Sequence, residues 1–233
     1  MKIGIIGAMD EEIALLRQQM TNKRETTIAN TLFIEGELAQ QDVVLLKSGI
    51  GKVNAAMATT IMHEQFSPDY VINTGSAGGF SPSLNVGDVI ISSEVVQHDV
   101  DVTAFGYDYG QVPGLPTMFQ ADKHLIELAE TVIESLNIHT ETGIIATGDT
   151  FMHDPEKVAA VRKLFPTMLA AEMEAGAIAQ VCHQYDKPFV VIRALSDIAG
   201  KESSQTFDEF LTVAAKNAAT MIINMIEKLP SSR

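Results

Sequence analysis

Three neighbouring carboxylates follow the first strand-like run of the chain, in the segment IGAMDEE at residues 6–12. Acids at the start of a helix complement the helix dipole, and Asp10 can also cap the helix. This explanation covers acids here in general but gives no reason for Glu12 in particular. A loop that binds phosphate would not carry three carboxylates beside it, and the chain has neither the dinucleotide fingerprint nor the P-loop pattern. The segment therefore favours acid–base chemistry over phosphate chemistry.

Two further segments favour a bound ligand. NTGSAGG, residues 73–79, follows a strand-like run, and its glycines let the backbone approach a ligand closely and point amide groups at it. In AEMEAGA, residues 171–177, Glu172 and Glu174 flank Met173 at the start of a helical stretch of small residues. A solvent-exposed glutamate pair is the alternative. Close packing of that helix instead favours a partner for a glutamate, and ribose hydroxyls are natural partners of a carboxylate.

The fourth segment is RALSD, residues 193–197, at the end of the apolar run 189–192. An acid at a buried strand end is costly to leave unpaired. Burial can also raise its pKa far enough for it to donate a proton at neutral pH. The competing interpretation is that Asp197 caps a turn before residues 198–200.

Taken together, the four segments place separate acids after different strand-like runs and supply almost no cations. This combination suits cleavage of an N-glycosidic bond. One acid protonates the leaving base, another activates water, and a third group holds the sugar as positive charge develops on it. The same combination suits phosphate chemistry poorly.

Short runs rich in β-branched residues alternate with longer helical patterns. Strands are predicted at residues 3–8, 32–38, 43–48, 70–74, 88–96, 143–147 and 189–195. Helices are predicted at residues 11–20, 52–65, 123–136, 155–164, 173–183 and 207–229, the last with an apolar stripe of period 3.6. The alternation predicts an α/β fold, a single three-layer domain over residues 1–233 with a central mixed, largely parallel β-sheet flanked by helices. Because ligands bind outside the carboxyl ends of strands in such sheets, the four segments should meet there.

Residues 101–118 interrupt the alternation with a stretch too long for a simple connector. The stretch contains Phe105, Tyr107, Tyr109 and Pro113, in a chain where aromatic residues make up only 6 %. Such a loop is typically functional or part of an interface. A packed surface loop is the alternative.

The formal net charge of this 233-residue chain is −14. A surface this acidic would repel DNA or RNA, and nucleic acid is therefore not an expected partner. A small neutral or zwitterionic ligand remains possible. The single cysteine, Cys182, excludes an intramolecular disulfide and a multi-cysteine metal site, and its apolar surroundings predict a buried, inert thiol. The sequence predicts neither a signal peptide nor a membrane span. We therefore expect a cytoplasmic protein without a membrane partner. No metal or cofactor is expected.

In content, order and spacing the four segments resemble the bacterial 5'-methylthioadenosine/S-adenosylhomocysteine nucleosidases, a family of the nucleoside phosphorylase superfamily. The resemblance covers nearly the whole chain, from IGAMDEE to the final helix. It implies a nucleoside phosphorylase-like fold and a homodimer. It also implies hydrolysis of small-molecule adenine nucleosides, namely 5'-methylthioadenosine, S-adenosylhomocysteine and also 5'-deoxyadenosine, in methionine and adenine salvage.

The resemblance implies a role for each matching residue. Glu12 matches the general base for water, and Asp197 matches the acid that donates a proton to purine N7. Glu174 matches the carboxylate that binds the ribose hydroxyls, with Met173 packed under the sugar. The other substrate-binding residues that it implies are Ser76 and Arg193 near the water, Phe151, Gly78 and the backbone of Met152 around the base, the apolar walls Met9, Ile50 and Phe207, and Ser196. The 5'-alkylthio pocket of each subunit would be completed by Val102, Phe105 and Pro113 from the neighbouring subunit.

Two other functions stay open at this level. A phosphorylase of the same fold would use phosphate in place of water, but it needs a cationic cradle where IGAMDEE offers acids. A nucleoside-binding protein without catalysis would need the glycine-rich segment and Phe151, but it has no use for Glu12 and Asp197 together. Release of free adenine, measured with and without phosphate, distinguishes the three.

Overall fold

The computed structural model describes residues 1–133, 136, 138–201 and 203–229. The strands are β1 Lys2–Gly7, β2 Thr21–Ile28, β3 Thr31–Leu38, β4 Gln41–Lys47, β5 Tyr70–Gly79, β6 Val89–Gln97, β7 Met118–Gln120, β8 Thr140–Thr147, β9 Met168–Glu172 and β10 Phe189–Ile198. The helices are α1 Asp10–Gln19, α2 Lys52–Phe66, α3 Lys123–Ile133, α4 Pro155–Leu164, α5 Ala175–Gln184 and α6 Ser203–Lys228. A short 3-10 helix, Thr103–Phe105, lies between β6 and β7.

Parallel strands form the centre of the sheet in the order β4, β1, β5, β10. They consist largely of buried Val, Ile and Leu, which is typical of strands covered on both faces. On the outer side of β4, the antiparallel strands β3 and β2 complete the sheet. The carboxyl ends of the central strands lie at one edge, which is where open α/β sheets bind ligands.

The other half of the sheet closes on itself. β10 pairs with both β5 and β6, β6 with β8, β8 with β9, and β9 returns to β5. The register shifts in β10 between Leu195 and Asp197, and in β6 between Ser92 and Glu94. Such bulges bend a strand and increase its twist. The closed ring therefore gathers the ends of β5, β9 and β10 around one space.

The α-helices in the described part of the chain flank this mixed sheet, which confirms the predicted fold class. α1 and α3 each pack on α6, and α2 packs on α5. The apolar stripe predicted in the last helix is buried in its second half, at Ala218, Met221 and Met225, whereas Phe210 nearer its start is exposed. Within the described ranges, no helix is both long and apolar enough to cross a bilayer.

Every predicted strand and helix has a counterpart, with bounds that differ by a few residues. The helix predicted at 123–136 is observed over Lys123–Ile133, and residues 134 and 135 lie outside the described residues. The sequence patterns miss β2, β7 and β9. β2 is a mostly exposed edge strand without apolar alternation, β7 has three residues, and β9 is short and rich in alanine.

The largest difference concerns the glycine-rich segment NTGSAGG, which was expected after a strand and lies within β5. Gly75 has a φ of +149°, and a Cβ added there would lie 2.6 Å from Glu12 Oε1 and would overlap the Arg193 guanidinium. Glycine is therefore needed for the close approach of two side chains to a strand, and not for a turn.

Candidate active site

A cavity of about 400 Å³ lies where β5, β9 and β10 end. The four sequence segments meet at this cavity, as predicted. The predicted site residues that line it are Met9, Glu12, Ile50, Ser76, Gly78, Phe151, Met173, Glu174, Ser196, Asp197 and Phe207.

Glu12 is buried near the start of α1, and two segments hold its carboxylate. Oε1 accepts hydrogen bonds from the backbone N–H of Ser76 at 2.9 Å and from its Oγ at 3.1 Å. Oε2 accepts from the backbone N–H groups of Ala8 at 2.7 Å and Met9 at 3.3 Å. Four donors thus fix this carboxylate at the cavity wall. Asp10, by contrast, pairs with Lys47 at 2.8 Å on the surface and does not cap the helix, whose N-cap is Met9.

Arg193 is 1 % exposed and is engaged by neighbouring acceptors. Its Nη2 donates to Asn73 Oδ1 at 2.9 Å, to Glu174 Oε2 at 3.4 Å and to Glu172 Oε2. Its Nη1 donates to two backbone carbonyls of β5 at 3.3 and 3.4 Å. The guanidinium compensates the charge of buried carboxylates, which would be strongly destabilising without it.

Glu174 stands at the N-cap position of α5 and lines the cavity. Its Oε1 accepts a hydrogen bond from the backbone N–H of Gly51 at 2.9 Å. Burial and the neighbouring Glu172 raise the pKa of Glu174, and Arg193 opposes that shift. With one backbone N–H and one distant guanidinium as partners, this carboxyl group has capacity left for the hydroxyls of a ligand.

Asp197 lies in the bulged part of β10. Burial raises the pKa of Asp197 to about 6, against the effect of a hydrogen bond that Ser196 Oγ donates to its Oδ1 at 2.9 Å. The bulge lets these two consecutive residues line the same cavity, which the regular alternation of a strand would prevent. A Cβ added at Gly78 would lie 3.2 Å from Asp197 Oδ2, so a small residue is needed opposite. The site thus holds a carboxyl group with a proton available near neutral pH.

Aromatic side chains form an apolar wall of the cavity. The rings of Phe151 and Phe207 meet edge to face with centroids 5.9 Å apart. Phe151 is 39 % exposed, so its ring is accessible to a ligand. The side chain of Met152 is buried, and its carbonyl oxygen accepts a hydrogen bond from Gly200 N–H at 3.1 Å. This wall suits a flat, apolar ring system next to the Asp197 carboxyl group.

Comparison with known proteins shows the family of the chain. The family model described as the phosphorylase superfamily matches residues 2–227. A 5'-methylthioadenosine/S-adenosylhomocysteine nucleosidase from Anoxybacillus flavithermus is 62 % identical over 230 residues, which cover 98 % of this chain and 99 % of that protein. The chain belongs to this nucleosidase family.

Solved structures of the nucleosidase family share the fold. The enzyme from Neisseria meningitidis, in complex with methylthio-immucillin-A, has a TM-score of 0.96 and 50 % identity, covering 98 % of this chain and 99 % of that one. The enzyme from Colwellia psychrerythraea 34H, in complex with adenine, has a TM-score of 0.96 and 54 % identity, covering 98 % and 96 %. The nucleoside phosphorylase-like fold expected from the sequence is confirmed.

Some predicted site residues of this nucleosidase family member do not line its cavity. Arg193 reaches the site only through its bonds to Glu172 and Glu174, and Met152 has a buried side chain that is not part of the lining. The residues predicted to complete a neighbouring subunit's pocket also stay outside the cavity of their own chain, and these are Val102, Phe105 and Pro113. Phe105 is 81 % exposed.

The sequence patterns do not distinguish the role of Glu172 from that of Glu174. Its Oε2 accepts from the backbone N–H groups of Glu174 at 2.9 Å and Ala175 at 2.8 Å, and Thr147 Oγ1 donates to its Oε1. Together with Arg193, these donors fix the turn from β9 into α5. A glutamate two residues before Glu174 is visible in AEMEAGA, but the sequence does not show that Glu172 ends β9 and accepts the N–H groups of the turn that follows.

The single cysteine, Cys182, is not among the residues that line the cavity. Cys182 is buried, and burial raises the pKa of its thiol, as expected for an inert cysteine. Within the described residues, no group of three or more His, Cys, Asp or Glu side chains is placed to hold a metal ion.

Proposed function

We propose that this chain hydrolyses the N-glycosidic bond of 5'-methylthioadenosine and S-adenosylhomocysteine, releasing adenine and the 5'-thio-substituted ribose. Relatives of 62 % and 60 % identity carry this activity in their names. The carboxyl groups, the aromatic wall and the cavity beside them support the same reaction, and 5'-deoxyadenosine fits the same description. We assign the function to one domain over residues 1–233, and we place it in the cytoplasm and in methionine and adenine salvage.

In this proposal Asp197 is the general acid. Its raised pKa, about 6, leaves a fraction of the carboxyl groups protonated at neutral pH. Protonation of purine N7 makes adenine a neutral leaving group as the bond to the sugar breaks. Phe151 stacks on the base, and the backbone of Met152 together with Ser196 and Gly78 borders it.

Glu12 is the general base that takes a proton from the attacking water. Its carboxylate is held at the cavity wall by four donors, so a water placed against it would be oriented before the reaction begins. Ser76 shares this position as a polar neighbour of the water. The proton that leaves the water stays on Glu12 while the hydroxide adds to the anomeric carbon.

Glu174 binds the ribose hydroxyls, and Met173 packs under the sugar. Arg193 holds Glu174 from behind at 3.4 Å and neutralises part of the buried negative charge. The Glu12 carboxylate in the same cavity favours the positive character that the ribose gains as the bond breaks. Met9, Ile50 and Phe207 are the apolar walls.

The charge of the cavity is the observation that favours hydrolysis over phosphorolysis. Glu12, Glu172, Glu174 and Asp197 line it, whereas no lysine or arginine among the described residues does. The guanidinium of Arg193, which lies against two of these side chains, is already engaged by Glu172 and Glu174. A phosphate ion entering this cavity would meet carboxylates without a free cation to compensate it.

The test is release of free adenine from 5'-methylthioadenosine, followed by ultraviolet absorbance with and without inorganic phosphate. We expect equal rates in both, and a product sugar that carries no phosphate. A rate that depends on phosphate would make the protein a phosphorylase. Binding of the nucleoside without any release of adenine would show that the protein binds nucleosides without catalysis.

We also propose that the active unit is a homodimer. The apolar side chains of Ile50, Val53, Met57 and Phe105 are exposed on one chain. Val53 and Met57 lie one turn apart on α2, next to Ile50 at the cavity. A second copy that covers this surface would bring Val102, Phe105 and Pro113 to the 5' end of the bound nucleoside and make an isologous interface.

A further inference from the structure

Two loops reach the cavity from distant parts of the sequence. The β4–α2 loop, residues 48–51, carries Ile50 in the cavity wall and Gly51, whose N–H holds Glu174. The β8–α4 loop, residues 148–154, carries Phe151 and Met152. In the proposed function the first loop serves the ribose and the second serves the base, so their relative position matters for an intact nucleoside.

Three residues outside the cavity tie these loops together in a closed ring. Lys52 Nζ pairs with Asp99 Oδ1 at 2.7 Å. Asp99 Oδ2 accepts a hydrogen bond from the backbone N–H of Asp149 at 3.0 Å. Asp149 Oδ1 accepts one from the backbone N–H of Lys52 at 2.8 Å. We call this arrangement the Asp99–Lys52–Asp149 ring.

The ring also brings the loop backbones close to each other. Gly51 has a φ of +93°, and a Cβ added there would lie 3.1 Å from Asp149 Oδ1. The Lys52 and Asp99 side chains are only 20 % and 27 % exposed, so their ion pair is screened less by salt than a pair on an open surface. Lys52 Nζ gains a further acceptor in Gln97 Oε1 at 3.2 Å. The link between the loops is therefore short, sheltered and charged.

We propose that Asp99, Lys52 and Asp149 are positioning residues, which hold the ribose-binding and base-binding loops at the separation of one nucleoside. The proposal rests on the proposed function. Asp99 and Asp149 act through backbone groups of the loops. The ring fixes the position of Gly51, whose N–H in turn holds Glu174. The ring also fixes Asp149, which leads to Phe151 in the other loop. It aligns sugar and base without touching either one.

The two loops do not depend on the ring equally. Without it, the β8–α4 loop keeps a bond from Gly148 N–H to the Glu172 carbonyl at 3.1 Å and one from Gly200 N–H to the Met152 carbonyl at 3.1 Å. The β4–α2 loop keeps a bond from Gly49 N–H to the Ala8 carbonyl at 3.2 Å at its start. Its other bonds, at Ile50 and Gly51, run to Asn54 and Ala55 in the first turn of α2, directly after the ring residue Lys52, and to Glu174 itself. Loss of the ring should therefore loosen the ribose side and spare the base side.

The test compares two ligands on one variant. In Asp99→Ala we expect the affinity for methylthio-immucillin-A, which spans both subsites, to fall about tenfold to a hundredfold, because small misplacements at a site are that costly. The affinity for adenine alone should stay within about threefold of the wild-type value, because the β8–α4 loop keeps its own hydrogen bonds at Gly148 and Met152. Calorimetry gives both dissociation constants, and kcat/KM for 5'-methylthioadenosine should fall with the first. Asp99→Asn keeps an acceptor for Asp149 N–H and should recover part of the loss.

Glu25→Ala is the matched control. It removes an ion pair of the same length, between Arg17 and Glu25 at 2.7 Å, away from the residues that line the cavity, and should change neither affinity. If Asp99→Ala does not fold, Lys52→Met removes the same ion pair while its backbone bond to Asp149 stays, and it should show the same split between ligands.

Equal losses for both ligands would mean a general structural role and would overturn the proposal, as would unchanged affinity for methylthio-immucillin-A. A wild-type protein that binds neither ligand and releases no adenine would refute the proposed function instead.

Discussion

At the scale of single residues, environment separates the roles of chemically similar carboxyl groups. Asp197 is buried beside one hydroxyl donor, and burial raises its pKa to about 6. Glu12 is held by four donors from two backbone segments. Glu174 shares a guanidinium with Glu172. In the proposed function, groups that begin with similar chemistry thus serve as a proton donor, a water-binding base and a sugar-binding group.

Replacing Asp197 by asparagine should affect activity and stability in opposite directions. Asparagine has nearly the same shape but is a poor proton donor, so kcat should fall about 10²- to 10⁴-fold while the nucleoside still binds. The unfolding free energy should rise at pH 8, because the variant has no buried carboxylate to ionise. A loss of less than about fivefold in kcat would exclude Asp197 as the donor.

The stability gain should depend on pH in a defined direction. The pKa of Asp197 is raised to about 6 in the folded protein from the ordinary 3.8 of an aspartate, so the folded state holds this proton more tightly. As pH rises between these values the wild type loses stability, by at most about 3 kcal/mol above pH 6. The difference between variant and wild type should therefore be absent below pH 4 and largest at pH 8. Denaturant unfolding of both proteins across this range checks it, and a variant less stable at pH 8 would contradict the cause given for the shift.

Glu12→Gln should abolish hydrolysis and spare ligand affinity. A base acts on water in the chemical step and contributes little to ground-state binding. We expect kcat to fall about 10²-fold or more, with the dissociation constant of adenine unchanged by calorimetry. Near-normal kcat with a raised KM would show instead that Glu12 binds substrate and that the base lies elsewhere.

At the scale of elements, β5 and β10 run side by side into the cavity and decide which side chains meet there. The bulge in β10 presents Ser196 and Asp197 to the same space. Opposite them, β5 is rich in glycine, and this leaves room for Glu12, Arg193 and Asp197 against its backbone. The strands thus contribute shape as well as side chains.

Gly75→Ala should therefore be far more costly than the same change at another glycine with positive φ. At Gly75 an added methyl meets the Glu12 carboxylate and the Arg193 guanidinium. We expect destabilisation by more than about 3 kcal/mol, or failure to fold.

Gly106→Ala is the matched comparison for this glycine. Gly106 has a φ of +81° and no heavy atom within 4 Å of an added Cβ, so backbone strain alone should cost about 1 kcal/mol. Thermal unfolding of both variants measures the difference. Similar losses at the two positions would mean that crowding at Gly75 is absent.

At the scale of the whole molecule, an acidic chain with a net charge of −14 leaves apolar side chains exposed around its cavity. The loop that carries Phe105, Tyr107 and Pro113 lies outside the cavity of its own chain. Both observations have one explanation in the proposed dimer, in which each subunit closes the 5' pocket of the other.

Phe105→Ala should raise KM for 5'-methylthioadenosine much more than KM for adenosine. A methylene group buried against such a wall is worth about 0.8 kcal/mol, which corresponds to about a fourfold change or more for the thiomethyl group. The 5' hydroxyl of adenosine gains little from the same wall. Leu164→Ala, which shortens another exposed apolar side chain on α4, is the control and should leave both values unchanged.

Equal increases in KM for the two nucleosides would show that Phe105 does not line the 5' pocket. Sedimentation at the protein concentration of the assay tests the dimer itself. A fully active monomer at nanomolar concentration would exclude the shared site.

The sequence by itself determined the α/β class, the order of most elements and the segments that meet at the cavity. These follow from local patterns: apolar periodicity, and acids placed directly after strand-like runs. Because the carboxyl ends of parallel strands share an edge, Glu12 and Asp197 could be expected to lie together, whereas Glu174 follows β9, a strand that the patterns miss. The family resemblance then supplied their roles, which remain proposals.

Only the tertiary structure decided how those acids differ. The closure of β5, β10, β6, β8 and β9 into a ring, the bulge at Ser196 and the strand conformation of NTGSAGG all depend on pairing between distant segments. The same holds for the Asp99–Lys52–Asp149 ring, whose members are up to 97 residues apart in the chain. A sequence pattern records which residue types are adjacent, but pKa, shared guanidinium contacts and loop separation depend on neighbours that only folding brings into contact.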